Sequence, residues 1–160
     1  MKLMTCNRCG KKNTEELCDN CLIKVIEKRA KKAIAKAGIT KNATIADDGS
    51  CEGRVSRYLA KRLIKDMKAG KSASITAETA DRKAEKLLER MLESRNSKED
   101  GASILSESTS EEVFRYAKIR KIKYNKPTEH KKGIKKLLEK LEKRNKGTKT
   151  ALARAAEQLK

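Results

Sequence analysis

The chain has 160 residues, enough for one modest core and a small accessory module. Hydrophobic residues make up 37% and charged residues 39%, so the core must be thin. Lys and Arg number 41 against 22 acids, a formal +19, which favours a polyanionic partner, most simply RNA or DNA, over a merely solvated surface. The four aromatic side chains, Tyr58, Phe114, Tyr116 and Tyr124, are too few for base stacking to be the main grip on single strands. A membrane role is not expected: there is no long apolar run, signal peptide or lipidation motif, and the reading is cytoplasmic.

The chain begins with two C-x-x-C pairs, Cys6-Asn-Arg-Cys9 and Cys18-Asp-Asn-Cys21. Such pairs turn their thiolates inward, and two of them complete a tetrahedral four-sulfur site. Residues 1–21 are therefore expected to form a zinc knuckle, with Gly10 allowing the tight turn. A pair of disulfides and a rubredoxin-like iron site are the alternatives.

Residues 22–41 form a basic helix. Leu22, Ile26, Ala30, Ala33, Ile34 and Ala37 recur at helical spacing, Gly38 is the stop, and Lys24, Lys28, Arg29, Lys31 and Lys32 lie on the other face.

From 42 to 126 the texture alternates. Ala43–Ala46 reads as a strand, then Asp47–Gly53 as a polar turn. A helix follows with Val55, Tyr58, Leu59, Leu63 and Met67 on one face and Gly70 at its end. Ser72–Thr76 is a second weak strand, followed by a helix using Ala80, Ala84, Leu87, Leu88 and Met91. After a polar loop over 94–101, Ala102–Leu105 is a third strand, and Ser108 with Glu111 has capping-box spacing before the next helix. Strand–helix repeated three times predicts an α/β fold, a small parallel three-stranded sheet with crossover helices. The weakness of the strands leaves an all-helical fold as the alternative.

Residues 127–160 form a helical basic tail. Ile134, Leu137, Leu138 and Leu141 make one apolar stripe, and Leu152, Ala155, Ala156 and Leu159 the last. Around them lie Lys131, Lys132, Lys135, Lys136, Lys140, Lys143, Arg144, Lys146 and Lys149, preceded by Lys121 and Lys123, with only Glu139 and Glu142 to offset the tail. Such a region can neutralise phosphates without reading sequence. His130, the single histidine, reads as a surface residue.

The order of pieces resembles a known family. The knuckle, the basic segment Ile26–Ile34, a strand, a Gly/Ser loop and a helix are similar to the amino end of the PP-loop (N-type ATP pyrophosphatase) enzymes that 2-thiolate tRNA. The tail fits too: Glu111–Lys118, then Lys136–Lys149 ending in Lys146-Gly-Thr-Lys149, resembles their carboxyl region. The resemblance implies a HUP-like α/β core, tRNA as partner, and ATP with Mg²⁺ at the loop Asp48, Gly49, Ser50, Cys51, Glu52 and Gly53. That loop departs from the family's Ser-Gly-Gly-x-Asp-Ser. The internal cysteines used by the family are missing, leaving only Cys51, where a helix amino terminus would lower a thiol's pKa, although an isolated cysteine is more often inert.

These features favour a zinc-containing RNA-binding protein acting on or with tRNA, with degraded catalytic motifs, and lean against an enzyme. One alternative is a minimal ATP-dependent sulfur-transfer enzyme using Cys51. Another is a ribosomal-RNA-binding or partner-docking subunit, where Ala151, Leu152, Ala155 and Ala156 meet another protein or a second copy.

Overall fold

The computed structural model describes residues 4–39, 43–45, 48–64, 68–69, 75–93, 102–125 and 132–158. Expectations resting on Ala46, Asp47, Met67, Gly70, residues 72–74, the loop 94–101, Pro127, His130, Lys131, the Lys132 side chain and Leu159 lie outside the described residues.

A two-stranded antiparallel hairpin opens the chain, β1 (Met4–Thr5) against β2 (Lys12–Asn13). Its turn closes where Gly10, at φ +71, donates its N–H to the Cys6 carbonyl at 2.9 Å. Helix α1 (Asp19–Lys36) follows, with Leu22, Ile26, Ala30 and Ile34 buried along one face. Each large apolar side chain so buried contributes about 1.5–3 kcal/mol. The helix ends as expected at Gly38, whose φ of +67 lets Ile39 N–H reach the Ile34 carbonyl and Gly38 N–H reach that of Ala35, both at 3.2 Å.

The expected parallel sheet is present. β3 (Thr44–Ile45), β5 (Ile75–Thr76) and β6 (Ala102–Ser103) pair side by side in parallel, with Ile45 opposite Ile75 and Ile75 opposite Ala102. A further short strand, β4 (Lys68–Ala69), pairs with β3 on its free side, so the order is β4-β3-β5-β6. This strand takes residues beyond Leu63 that sequence periodicity assigned to the preceding helix. α2 (Cys51–Leu63) stops because Ile64, buried, turns to an extended backbone at φ −118, ψ 131.

α3 (Ala80–Glu93) and α4 (Ser110–Ile119) complete the crossovers. The capping box of α4 lies one residue later than expected. Thr109 accepts from Glu112 N–H and Glu112 accepts from Thr109 N–H, in place of Ser108 with Glu111. α5 (Lys132–Arg144) and α6 (Thr148–Gln158) form the tail.

One core joins α1, β3, α2, β5 and α4 around Ile45, Val55, Leu59, Ile75, Leu105 and Tyr116. α6 packs most extensively on α3, and α5 touches both. Leu138, Ala153 and Ala156 are the buried tail positions, so α6 is rotated from the expected stripe: Ala151 is exposed and Leu152 and Ala155 half-buried. No helix among the described residues is long and apolar enough to cross a membrane.

The strand order places the reversal point between β3 and β5. From β3 the chain crosses to β4 on one side, and from β5 to β6 on the other. The loops leaving β3 and β5 therefore part company above the sheet, where such folds hold their ligands.

Candidate functional site

The four amino-terminal cysteines converge. Cys6 and Cys9 come from the hairpin turn, and Cys18 and Cys21 from the start of α1. Their sulfurs all lie within 4.8 Å of one another. The Cys9 and Cys18 Sγ atoms are 3.7 Å apart, far beyond a disulfide at about 2.05 Å, and all five cysteines are free. A single ion with sulfurs at about 2.3 Å in a tetrahedron separates them by about 3.8 Å. The set could thus hold a metal ion.

Its electrostatics fit a cation. Backbone N–H groups of Cys18, at 3.3 Å from the Cys6 Sγ, and of Arg8 bring Cys6 down to about 6. Burial, and then hydrogen bonds that the Cys21 thiol donates to the neighbouring sulfurs, push Cys21 up to about 12. One thiolate is favoured and the next is opposed, a conflict that a dication resolves.

The module is clamped at both ends. Arg115 of α4 reaches Glu15 and, at 2.6 Å, Asp19, while Lys146 beyond α5 meets Glu16 at 2.8 Å and holds its carboxyl below the usual range.

The loop at the reversal point fills its own anion position. Ser50 N–H donates to the Asp48 carboxylate at 2.9 Å, and Gly53 N–H donates to Ser50 Oγ at 3.0 Å, capping α2. A Cβ on Gly53 would collide with the Asp48 carboxylate, which would have to shift to admit it. A phosphate at this helix amino terminus would compete with that carboxylate for the same donors. The residues present do not fit a nucleoside triphosphate at this loop.

Cys51 corrects another expectation. It is buried at 5% exposure, and burial, followed by the Glu52 charge, pushes it up to about 12. Desolvation outweighs the helix amino terminus, so Cys51 is a thiol and no activated nucleophile.

Beside this loop lies a cavity of about 730 Å³ between the amino termini of α2, α3 and α4 and the tail helices. Six carboxylates line it, Glu52, Asp81, Glu85, Glu111, Glu139 and Glu142, against Lys135 and Lys149. Phe114, Tyr124 and Leu138 supply apolar wall. Sequence reading placed Glu52 in the loop but did not bring these acids together as one site. Their signal was present in Asp81 and Glu111 within first turns and in Glu139 with Glu142 one turn apart on one flank of α5.

The basic residues divide into two groups. Lys24, Lys28, Lys31 and Lys32 are exposed on α1, Lys136, Lys140, Lys143 and Arg144 on α5, and Lys121 and Lys123 beyond α4. Others are drawn onto carboxylates. Arg29 meets Glu112 at 2.8 Å, Lys149 meets Asp81 at 2.5 Å, Lys146 meets Glu16, and Lys135 faces the cavity. Arg29 and Lys149 are thus internal partners, in contrast to the expected open contact surface.

No protein-family model matches the chain, and no curated protein matches it in sequence. Its fold is shared with solved structures. One is the U34-tRNA thiolase NcsA from Methanococcus maripaludis with its [4Fe-4S] cluster. The TM-score is 0.78 at 14% identity, over 99% of this chain and 88% of that chain. At that identity the likeness establishes the fold, in agreement with the architecture expected from the order of elements.

Proposed function

We propose that this chain is a zinc-bearing RNA-binding protein on a tRNA-thiolase scaffold, acting on or with tRNA in the cytoplasm without ATP-dependent chemistry of its own. The observation that carries the reading is the loop Asp48–Gly53. On a fold shared end to end with a tRNA thiolase, its helix-terminus donors are engaged by Asp48 and Ser50. What is left to work with is charge: a formal +19, displayed on the outer faces of α1 and α5.

Zinc is favoured over an iron–sulfur cluster by size. Sulfurs within 4.8 Å of one another suit one ion, whereas a four-iron cube spreads its ligands wider. Outside the knuckle only Cys51 remains, and one thiol cannot hold a cluster. Cys6, Cys9, Cys18 and Cys21 would hold the zinc, which would supply folding energy and no chemistry.

The competing reading is a minimal tRNA-modifying enzyme. It draws on the cavity of about 730 Å³ at the strand carboxyl ends, but six carboxylates there oppose both ATP and an RNA phosphate.

The test is calorimetric titration of metal-loaded protein with ATP·Mg²⁺, alone and with bulk tRNA, beside tRNA binding across a salt series. Salt-steep tRNA binding without an ATP signal is expected. ATP binding at or below the millimolar range, strengthened by tRNA, would overturn the non-enzymatic reading. Absence of tRNA binding at low salt would overturn the RNA-binding one.

A further inference from the structure

Two helices present the same row of lysines. On α1, Lys24, Lys28 and Lys31 occupy positions i, i+4 and i+7, exposed and opposite the buried Leu22, Ile26 and Ala30. On α5, Lys136, Lys140 and Lys143 repeat the spacing, exposed and opposite the buried Leu138. Each row spans about 10.5 Å along its helix, on the order of three phosphates of one duplex strand. None of the six lysines makes a salt bridge to a described residue.

Most acids of the two helices are engaged elsewhere. On α5, Glu142 lines the cavity and accepts from Gly147 N–H at 2.7 Å and Lys149 N–H at 2.9 Å, while Glu139, exposed, lies on the cavity flank beside Lys143. On α1, Asp19 binds Arg115, and Glu27 binds Arg120 at 2.8 Å with Arg62 at 3.5 Å. The rows themselves hold only lysines, with one exposed acid, Glu139, on the flank of the α5 row.

The aromatic side chains are equally committed. Tyr58 meets Tyr116 edge to face at 6.3 Å between centroids and Phe114 meets Tyr124 at 5.9 Å, with Arg62, Lys118 and Arg120 over three of the rings. The one exposed ring, Phe114 at 43%, lines the carboxylate-rich cavity, so an unpaired strand reaches a stacking platform only against that charge, whereas a duplex needs none. The acidic cavity repels a phosphate backbone as well.

We infer that the ligand is double-helical RNA, held by its phosphates on the α1 and α5 lysine rows and outside the cavity. This rests on the RNA-binding reading above and adds to it the surface and the form of the RNA.

The experiment is fluorescence anisotropy of the full metal-loaded chain with a short duplex RNA and with an unstructured single strand of equal length, each across a salt series. The duplex is expected to bind more tightly. Lys24→Gln/Lys28→Gln/Lys31→Gln and Lys136→Gln/Lys140→Gln/Lys143→Gln should each lower the slope of log K against log salt by about two to three. The matching Lys→Arg triples should keep the wild-type slope, and Lys135→Gln, inside the cavity, should leave it unchanged. RNA binding with unaltered slopes in both Gln triples would overturn the assigned surface and leave the RNA-binding reading standing. Tighter binding of the single strand would overturn the duplex preference. No binding of either RNA would overturn both this inference and the reading under it.

Discussion

Gly53→Ala tests whether Asp48 occupies the anion position of α2. Alone, Ala in place of Gly inside a helix is worth up to about 1 kcal/mol of stability. Here the new methyl would collide with the Asp48 carboxylate and sit 3.2 Å from Ser50 Oγ. Displacing Asp48 breaks its bond from Ser50 N–H at 2.9 Å. A charge-assisted bond of that kind is worth about 1.5–3 kcal/mol, and a negative charge at a helix amino terminus a further 0.3–1 kcal/mol or so. Asp48 is exposed, so the low end applies. The net expectation is destabilisation of about 1 kcal/mol, or roughly 2–4 °C in Tm for a chain of this size. In an Asp48→Ala background the collision with the carboxylate is gone, leaving helix propensity offset in part by the 3.2 Å approach to Ser50 Oγ. Gly53→Ala should then stabilise by about 0.5 kcal/mol. Urea unfolding of the four metal-loaded proteins gives the cycle. Additivity within about 0.5 kcal/mol, or a Gly53→Ala that stabilises the wild-type chain, would refute the packing of Asp48 against Gly53 and with it the self-filled loop.

Metal analysis of protein purified under reducing conditions should give one zinc per chain. Cys21→Ser should abolish it and lower Tm, and a visible iron–sulfur absorption band with acid-labile sulfide would contradict the single-ion site. Leu138→Ala removes a side chain of 1% exposure that seats α5, and should cost about 2–5 kcal/mol by urea unfolding; a loss under 1 kcal/mol or so would mean the tail is not packed as described. Cys51 should resist alkylation in the native state at pH 8, where a thiol at about 12 is ionised on the order of one part in ten thousand, and should react only on unfolding. Its pKa is raised on folding, so the linked stability is complete below the unfolded value near 8.5 and declines as pH climbs from there towards about 12. Stability in the metal-loaded chain that rises over that window would contradict the burial of Cys51.

The elements that sequence reading located well are those where a side-chain period meets a terminator. α1 is one, with Leu22, Ile26, Ala30 and Ile34 followed by Gly38 at positive φ. The cysteine spacing likewise carried over into convergent sulfurs, because two C-x-x-C turns can hardly do otherwise. What was not legible depended on tertiary context. β4 is a two-residue edge strand whose only mark is that β3 lies beside it. Periodicity continued the helix through it, since nothing local says that Ile64 will leave helical geometry. The two readings of Cys51, reactive at a helix start or inert, could not be separated by sequence, because a helix start can be read from it and burial cannot. The lysines of the tail looked equivalent in the sequence, yet Lys149 faces Asp81 and Lys136 faces solvent, a distinction set by the rotation of each helix against α3.

That rotation organises the charge of the whole molecule. An α5 turned by half a revolution would put Glu142 outside and bury lysines against an acidic wall, satisfying the same pairwise attractions. The observed setting is fixed by Leu138, the fully buried side chain of the tail helix, and by the Glu142 bonds to the first turn of α6. Apolar burial chooses the face, and the sign of the exposed surface follows. The acids gathered at the reversal point then work against nucleotide entry at the place where the fold would otherwise receive it. The same sorting leaves the outer rows without internal neutralisation. The acidic wall beside the reversal point and the lysine-bearing exterior of α5 are therefore two consequences of one packing arrangement, which is why a single buried leucine bears on both.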